Sequence, residues 1–454
     1  MKETASLESF GYQQELKRAL SLRDLVVFGI VFMSPMSSMT LFGIMAMMSD
    51  GHNVLCYLLG FAAMLFTAYA YGQMVRAFPI AGSTYSYTQR AVHPKLGFVA
   101  GWVMLLDYVL IPMLLYVVSA LYAHEFVPAI PFWGWVLLYV VPITFVNIRG
   151  VELAAKTNTI MTILMIAALI AFFAASIKYA LTGNAELFSW TAIYNAKKFS
   201  LNAVVSGSAL AVLSYLGFDA ITTLTEEAKD QRQVGTAIIL ACVVQTIIYL
   251  GMAYFGTIVA PDWKAFPNPE TAAFGMALKV GGAALQTFVS LVIIVSGVST
   301  ALVGQASASR LLFGMGRDGV IPARFFAHLH PRFKTPTYSI FFMAVLGLVG
   351  ALTISMTTLS EMVTFGGLFG FICVNLAVIF QYYLKEKSGK FVRHVVCPVL
   401  GLAVCAYILW SLSLTARVVG FAWMGVGVVY LAVRSVLSQD FTKLLAKGAF
   451  AEPQ

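Results

Sequence analysis

The chain has 454 residues, 60% of them hydrophobic and 11% charged, and its mean hydropathy is +0.84. So much apolar surface excludes a water-soluble domain, and repeated apolar runs of about 20 residues match the roughly 30 Å hydrocarbon layer of a bilayer. The net charge of +9 reads as loop anchors against an anionic membrane face, with no nucleic-acid partner.

The first element in the chain is a polar tail, 1–23, with no apolar core or small-residue cleavage site, and it is expected in the cytosol. Twelve spans are predicted next, at 24–48, 54–78, 97–123, 132–148, 157–181, 203–223, 234–260, 275–305, 337–356, 361–384, 394–414 and 417–437. A second cytosolic tail, 438–454, closes the chain. When each Lys and Arg is assigned to its nearest loop, 23 of the 29 fall on one side. That bias predicts both termini in the cytosol and an even number of spans. Cys56, Cys242, Cys373, Cys397 and Cys405 lie in or beside apolar runs without CxxC spacing and read as helix-packing residues.

Spans 1 and 6 are interrupted in corresponding ways. "SPMSS", 34–38, puts Pro35 inside span 1, and "SYLGFDA", 214–220, puts Gly217 and Asp219 inside span 6. Proline lacks the N–H that a helix needs, so the chain must kink or unwind near Ser34. Unwound backbone at that depth needs protein or a water-filled cavity around it. Broken helices at equivalent places predict two groups of five spans, 24–181 and 203–384, with 394–437 as an added pair. Because five is odd, the second group enters the membrane from the opposite face. The predicted fold is therefore an all-α polytopic membrane protein, a five-plus-five inverted repeat with broken helices 1 and 6.

Ionisable residues within spans are costly and few. Asp107 stands near mid-depth in span 3, either as counter-ion or proton carrier or as a carboxyl bonded to a neighbouring helix. Tyr108 beside it can hydrogen-bond substrate or gate. Asp219 is expected to bond unwound backbone at the second break. Tyr215 and Phe218 flank that break, where aromatic faces attract ammonium groups or simply pack. Glu226 and Glu227, beside Lys229 and Arg232, read as loop charge or as a cytosolic gate, and Glu361 as a solvated helix-start residue. No metal-binding or nucleophile-and-base set is present, no cofactor is expected, and an enzyme is not predicted.

Three stretches carry a family resemblance: "FPIAGSTYSYTQRAVHPKLGFVAGW", 78–102; "LGFDAITTLTEEAKD", 216–230; and "ASRLLFGMGRDGVIPARFFAHLHPRFKTP", 308–336. On these the chain resembles the amino acid/polyamine/organocation superfamily of permeases along nearly its whole length. "LLDYVLIP", "SPM" and "MSDGH" are most similar to bacterial putrescine importers. The resemblance implies alternating access, with substrate held between the unwound parts of spans 1 and 6 and walls from spans 3, 8 and 10. It assigns substrate binding to Ser34, Met36, Ser37, Ser38, Asp107, Tyr108, Tyr215, Gly217, Phe218 and Asp219. It also implies residence in a bacterial cytoplasmic membrane and coupling to an ion, a proton ahead of sodium.

Two departures stand against the pattern. Pro35 and Met36 replace glycines that free N–H groups for a carboxylate, which weakens the case for an α-amino acid. Thr40 stands where putrescine importers carry an aspartate, so a second ammonium anchor is missing there. Met165 takes the place of a lysine in proton-coupled relatives and of a sodium ion in others. The expected function is import of a small organic amine or amino acid, polyamines such as putrescine ahead. A neutral amino-acid permease or an amine/amino-acid exchanger is the alternative, and a channel a distant third.

Overall fold

The computed structural model describes residues 18, 20–79, 83–149, 154–225, 227–317, 321–333 and 335–437. Among them the chain is helical, and the sole strand-like pairing is one bridge between Leu20 and Ala228. Among the described residues, eleven helices are long and apolar enough to cross a membrane. An apolar helix of 17 residues, Thr337–Thr353, stands at the ninth predicted span.

Span 1 is three pieces: α1 (Leu22–Phe32), α2 (Ser37–Thr40) and α3 (Phe42–Met48). Ser21 caps α1 in a reciprocal box with Asp24, which satisfies two free N–H groups. The helix stops before Pro35, where Ser34 adopts φ 49°, in the left-handed region. α4 (Asn53–Ala77) returns. The segment predicted as a plain loop carries a short helix, α5 (Ser83–Ala91), too polar to register as a span.

α6 (Pro94–Phe126), α7 (Phe132–Arg149) and α8 (Ala154–Tyr179) complete the first five spans. Span 6 is α9 (Leu201–Tyr215) followed, across Leu216 and Gly217, by a 3-10 turn at Phe218–Leu224. α10 (Arg232–Val259) and α11 (Ala272–Arg317) follow. The eighth span was predicted as continuous, but Gly282 at φ 63°, ψ −166° breaks α11. An unbroken run of hydropathy hides such a kink. A short α12 (Ala323–Phe326) precedes α13 (Thr337–Thr353), α14 (Met356–Val378), α15 (Cys397–Ser411) and α16 (Leu414–Leu437).

Helices in lipid associate by close packing rather than by hydrophobic exclusion, so small residues sit where they cross. A Cβ on Gly72 of α4 would lie 3.2 Å from Gly235 Cα of α10, and one on Gly60 would lie 3.0 Å from Ala211 Cβ of α9. The contacts pair up between the two groups of helices. α1 packs on α10 as α9 packs on α4, α6 on α14 as α11 on α8, and α6 on α7 as α11 on α13. On the flank, Trp102 of α6 and Trp423 of α16 form a reciprocal clasp. Each indole N–H donates to the other's carbonyl, at 3.0 and 2.9 Å, and the rings stack 5.0 Å apart.

Candidate functional site

The two breaks meet. Gly217 has φ 115°, and a Cβ there would lie 3.1 Å from the carbonyl oxygen of Phe32, the last residue of α1. Beside this junction is a cavity of about 110 Å³. Ser34, Met36, Ser37 and Thr40 form one wall, Leu114 and Val118 of α6 another, and Ser296, Gly297 and Thr300 of α11 a third. Three of the residues expected from the first break, Ser34, Met36 and Ser37, therefore share one cavity.

Ser38 does not join them. It is fully buried and its hydroxyl donates to Pro35 O at 3.2 Å, which satisfies the broken backbone. The difference gives a direct expectation. A cysteine at Ser37 reacts with a small polar thiol reagent and is shielded by substrate, while one at Ser38 stays inert; equal labelling rates at the two positions would contradict this geometry.

Thr40 faces the cavity with its hydroxyl donating to Ser37 O at 3.0 Å. Met165 is buried, and the Ser34 hydroxyl lies 3.5 Å from its sulfur. The position expected for a coupling ion thus holds a neutral thioether against the first break.

The carboxylates form a separate layer. Leu114, on the cavity, is seven residues beyond Asp107 on α6, about 10 Å along the axis at 1.5 Å per residue. Asp107 is partly accessible, and its Oδ1 is buried with no hydrogen-bond partner. Pro112 within α6 has no N–H to return to Tyr108 C=O, the carbonyl next to Asp107 in the chain. Tyr108 is 36% exposed. Gly366 lets α14 approach here, since a Cβ on it would meet the Asp107 backbone nitrogen at 3.3 Å.

Asp219 is buried in the turn below the second break. Its carboxylate faces backbone N–H groups of Gly217, Asp219 and Ala220, and the Ser83 hydroxyl of α5 lies 3.5 Å away. It is also the charge that acts on Asp107 electrostatically. Two carboxylates in a poorly solvated layer repel unless positive charge joins them.

Other expected residues are packed. Tyr215 is fully buried, its hydroxyl 2.8 Å from Thr246 Oγ1 and its ring against Tyr57 and Tyr249. Phe218, equally buried, packs edge-on to Tyr71 and against Phe371. Glu226 lies outside the described residues, as do the tails at 1–17 and 438–454. Glu227 contributes backbone: its carbonyl accepts from Leu20 N at 3.0 Å, beside the Leu20–Ala228 bridge. Glu361 was expected in water, yet it is buried and accepts the Ser413 N–H at 3.2 Å, tying α14 to the start of α16. α14 begins at Met356, so Glu361 is its sixth residue rather than its start, and the segment that covers it is 52 residues away in the chain.

A larger cavity of about 410 Å³ lies elsewhere, between Asp50–His52, the 184–198 segment and Trp263. Several of its polar groups already have partners. The His52 ring spans Ser49 O and Asn195, and Lys279 Nζ sits 2.7 Å from Val259 O. None of its lining residues belongs to either break, which sets it apart from the candidate transport site.

Broken helices meeting at a cavity, with two carboxylates in a separate layer of the same helix bundle, define a membrane transporter. The family model for amino acid permeases matches residues 29–439, and the chain belongs to that family. It is a secondary transporter for small amines or amino acids, and not an enzyme. It is 32% identical over 426 residues to the low-affinity putrescine importer PlaP of Escherichia coli K12, covering 92% of this chain and 94% of that one. It is 27% identical over 450 residues to the methylthioribose transporter of Bacillus subtilis 168, with 94% of each covered. Against the branched-chain amino acid permease BcaP of the same organism the identity is 25% over 450 residues, with 92% and 93% covered.

Proposed function

We propose that the protein imports a small organic amine, with a diamine such as putrescine ahead of amino acids, across a bacterial cytoplasmic membrane. The observation that carries this reading is Asp107, a carboxylate with a buried, unpartnered oxygen one turn before the proline inside α6. Asp219, within its electrostatic reach, supplies the second anionic end that Thr40 does not. An ammonium at each end neutralises the pair. The likeness to the putrescine importer agrees with this choice.

The proposed architecture is twelve spans, with repeats at 24–181 and 203–384, an added pair at 394–437, and tails 1–23 and 438–454 in the cytosol. The paired helix contacts and the two left-handed breaks support it. Transport proceeds by alternating access. Substrate meets Ser34, Met36 and Ser37 and the Asp107–Tyr108 layer, while Ser38, Tyr215, Gly217 and Phe218 shape the junction from behind. The role of a cytosolic gate is assigned to Glu227 and, from the sequence alone, to Glu226. A proton is the coupling ion: Met165 offers neither an amine nor a hard oxygen ligand, whereas Asp107 and Asp219 can carry a proton.

Reconstituted vesicles test this directly. Uptake of labelled putrescine is expected to saturate and to follow an imposed pH gradient. Uptake of leucine but not putrescine would favour the neutral amino-acid alternative that the likeness to the branched-chain amino acid permease keeps open, and flux that neither saturates nor follows a gradient would indicate a channel. Saturating putrescine, at 100 times its Kd, should also add about 2.7 kcal/mol of stability.

A further inference from the structure

Tyr249 of α10 is fully buried where the two breaks meet. Its hydroxyl lies 2.8 Å from Met33 O and 3.4 Å from Ser34 O, both at the end of the first half of span 1. It also makes a short contact with Ser214 O, near the end of α9. The Ser37 hydroxyl, on the far side of the first break, donates to the phenol oxygen at 3.0 Å. Met33 O and Ser214 O lie where half-helices end and the next turn's N–H groups are missing, while Ser34 O also accepts the Ser37 N–H at 3.0 Å and Met33 O the Ser37 hydroxyl at 3.4 Å. A phenol has one proton, so it serves one of these carbonyls at a time. One turn earlier on the same face of α10 is Gln245, fully buried, with neither amide atom hydrogen-bonded.

We propose that Tyr249 is a positioning residue of the transport cycle: its hydroxyl turns between the carbonyls of span 1 and span 6 and keeps the two broken helices in register, with the Gln245 amide receiving it in the other arrangement. The single donor couples the breaks because a shift in either changes which carbonyl it can reach. A residue that merely filled space would not couple them, and removing its oxygen would leave the breaks unaffected. The proposal rests on the breaks being the moving parts of transport, and not on which amine is carried.

Its test is therefore independent of substrate. A cysteine is placed at Thr300, on the α11 wall of the cavity, and its labelling by a charged thiol reagent is timed in membranes. Tyr249→Phe is expected to change that rate at least threefold. Tyr57→Phe is the matched control: it removes a phenol from the same aromatic stack, one that touches Ser214 Oγ of span 6 alone, at 3.1 Å. It is expected to leave the rate within twofold while lowering thermal stability comparably. Gln245→Met covers the case in which Tyr249→Phe does not fold. It discards an amide that has no partner, should fold, and should also shift the labelling rate at least threefold. Rates within twofold of the parent for the recovered Tyr249 and Gln245 variants, or equal shifts in Tyr57→Phe and Tyr249→Phe, overturn the proposal. Failed putrescine uptake with these labelling changes intact would refute the substrate assignment and leave the Tyr249 role standing.

Discussion

Asp107→Asn is expected to weaken putrescine binding at least a hundredfold, about 2.8 kcal/mol, in protein that folds as well as the parent. The substitution keeps size and hydrogen-bonding capacity and removes only the charge. In a layer shielded from water, an ammonium that loses its carboxylate forfeits several kcal/mol. Folding should not suffer, because Oδ1 has no partner to lose and a buried charge is itself unfavourable. A carboxyl with a structural role would behave in the opposite way, with lower stability and unchanged affinity among folded molecules. Affinity within about threefold of the parent, only about 0.65 kcal/mol, would take Asp107 out of the site and with it the argument for a cationic substrate.

Gly217→Ala should abolish uptake. The φ of 115° is one that an L-residue adopts only under strain of about 1–3 kcal/mol. The added Cβ would also lie 2.6 Å from Phe32 Cδ1 and 3.1 Å from Phe32 O. The ring can turn, but the carbonyl cannot move without carrying the end of α1. Gly183 separates the two effects, since its φ is 83° and nothing lies within 4 Å of its ideal Cβ. Gly183→Ala therefore feels backbone strain alone and is expected to keep uptake. If the Gly217 variant transports at the parent's rate, the contact between the breaks is dispensable.

Both breaks were legible because each rests on a backbone exception that a single residue announces: Pro35 by its missing N–H and Gly217 by its missing Cβ. The spans were legible because lipid imposes both a length and a composition. What joins the breaks was not. Tyr249 is one of 20 tyrosines, and its carbonyl partners at Met33 and Ser34 are more than 200 residues away in the chain. Gly366 likewise acquires meaning only when α14 meets α6 beside Asp107. The division of the expected site into a cavity at Ser37 and a carboxylate layer at Asp107 was invisible for a related reason. Depth along α6 can be counted from the sequence, but the depth at which the first break meets α6 depends on how the helices tilt.

The Trp102–Trp423 clasp gives the molecule an optical signature. Two indoles stacked 5.0 Å apart, in a chain with only 7 tryptophans, couple their electronic transitions and give paired circular-dichroism bands that isolated rings lack. The strength of those bands depends on the angle and spacing between α6 and α16. Unlabelled protein thus carries its own gauge of whether the last span rides with α6 as substrate passes or lets it go.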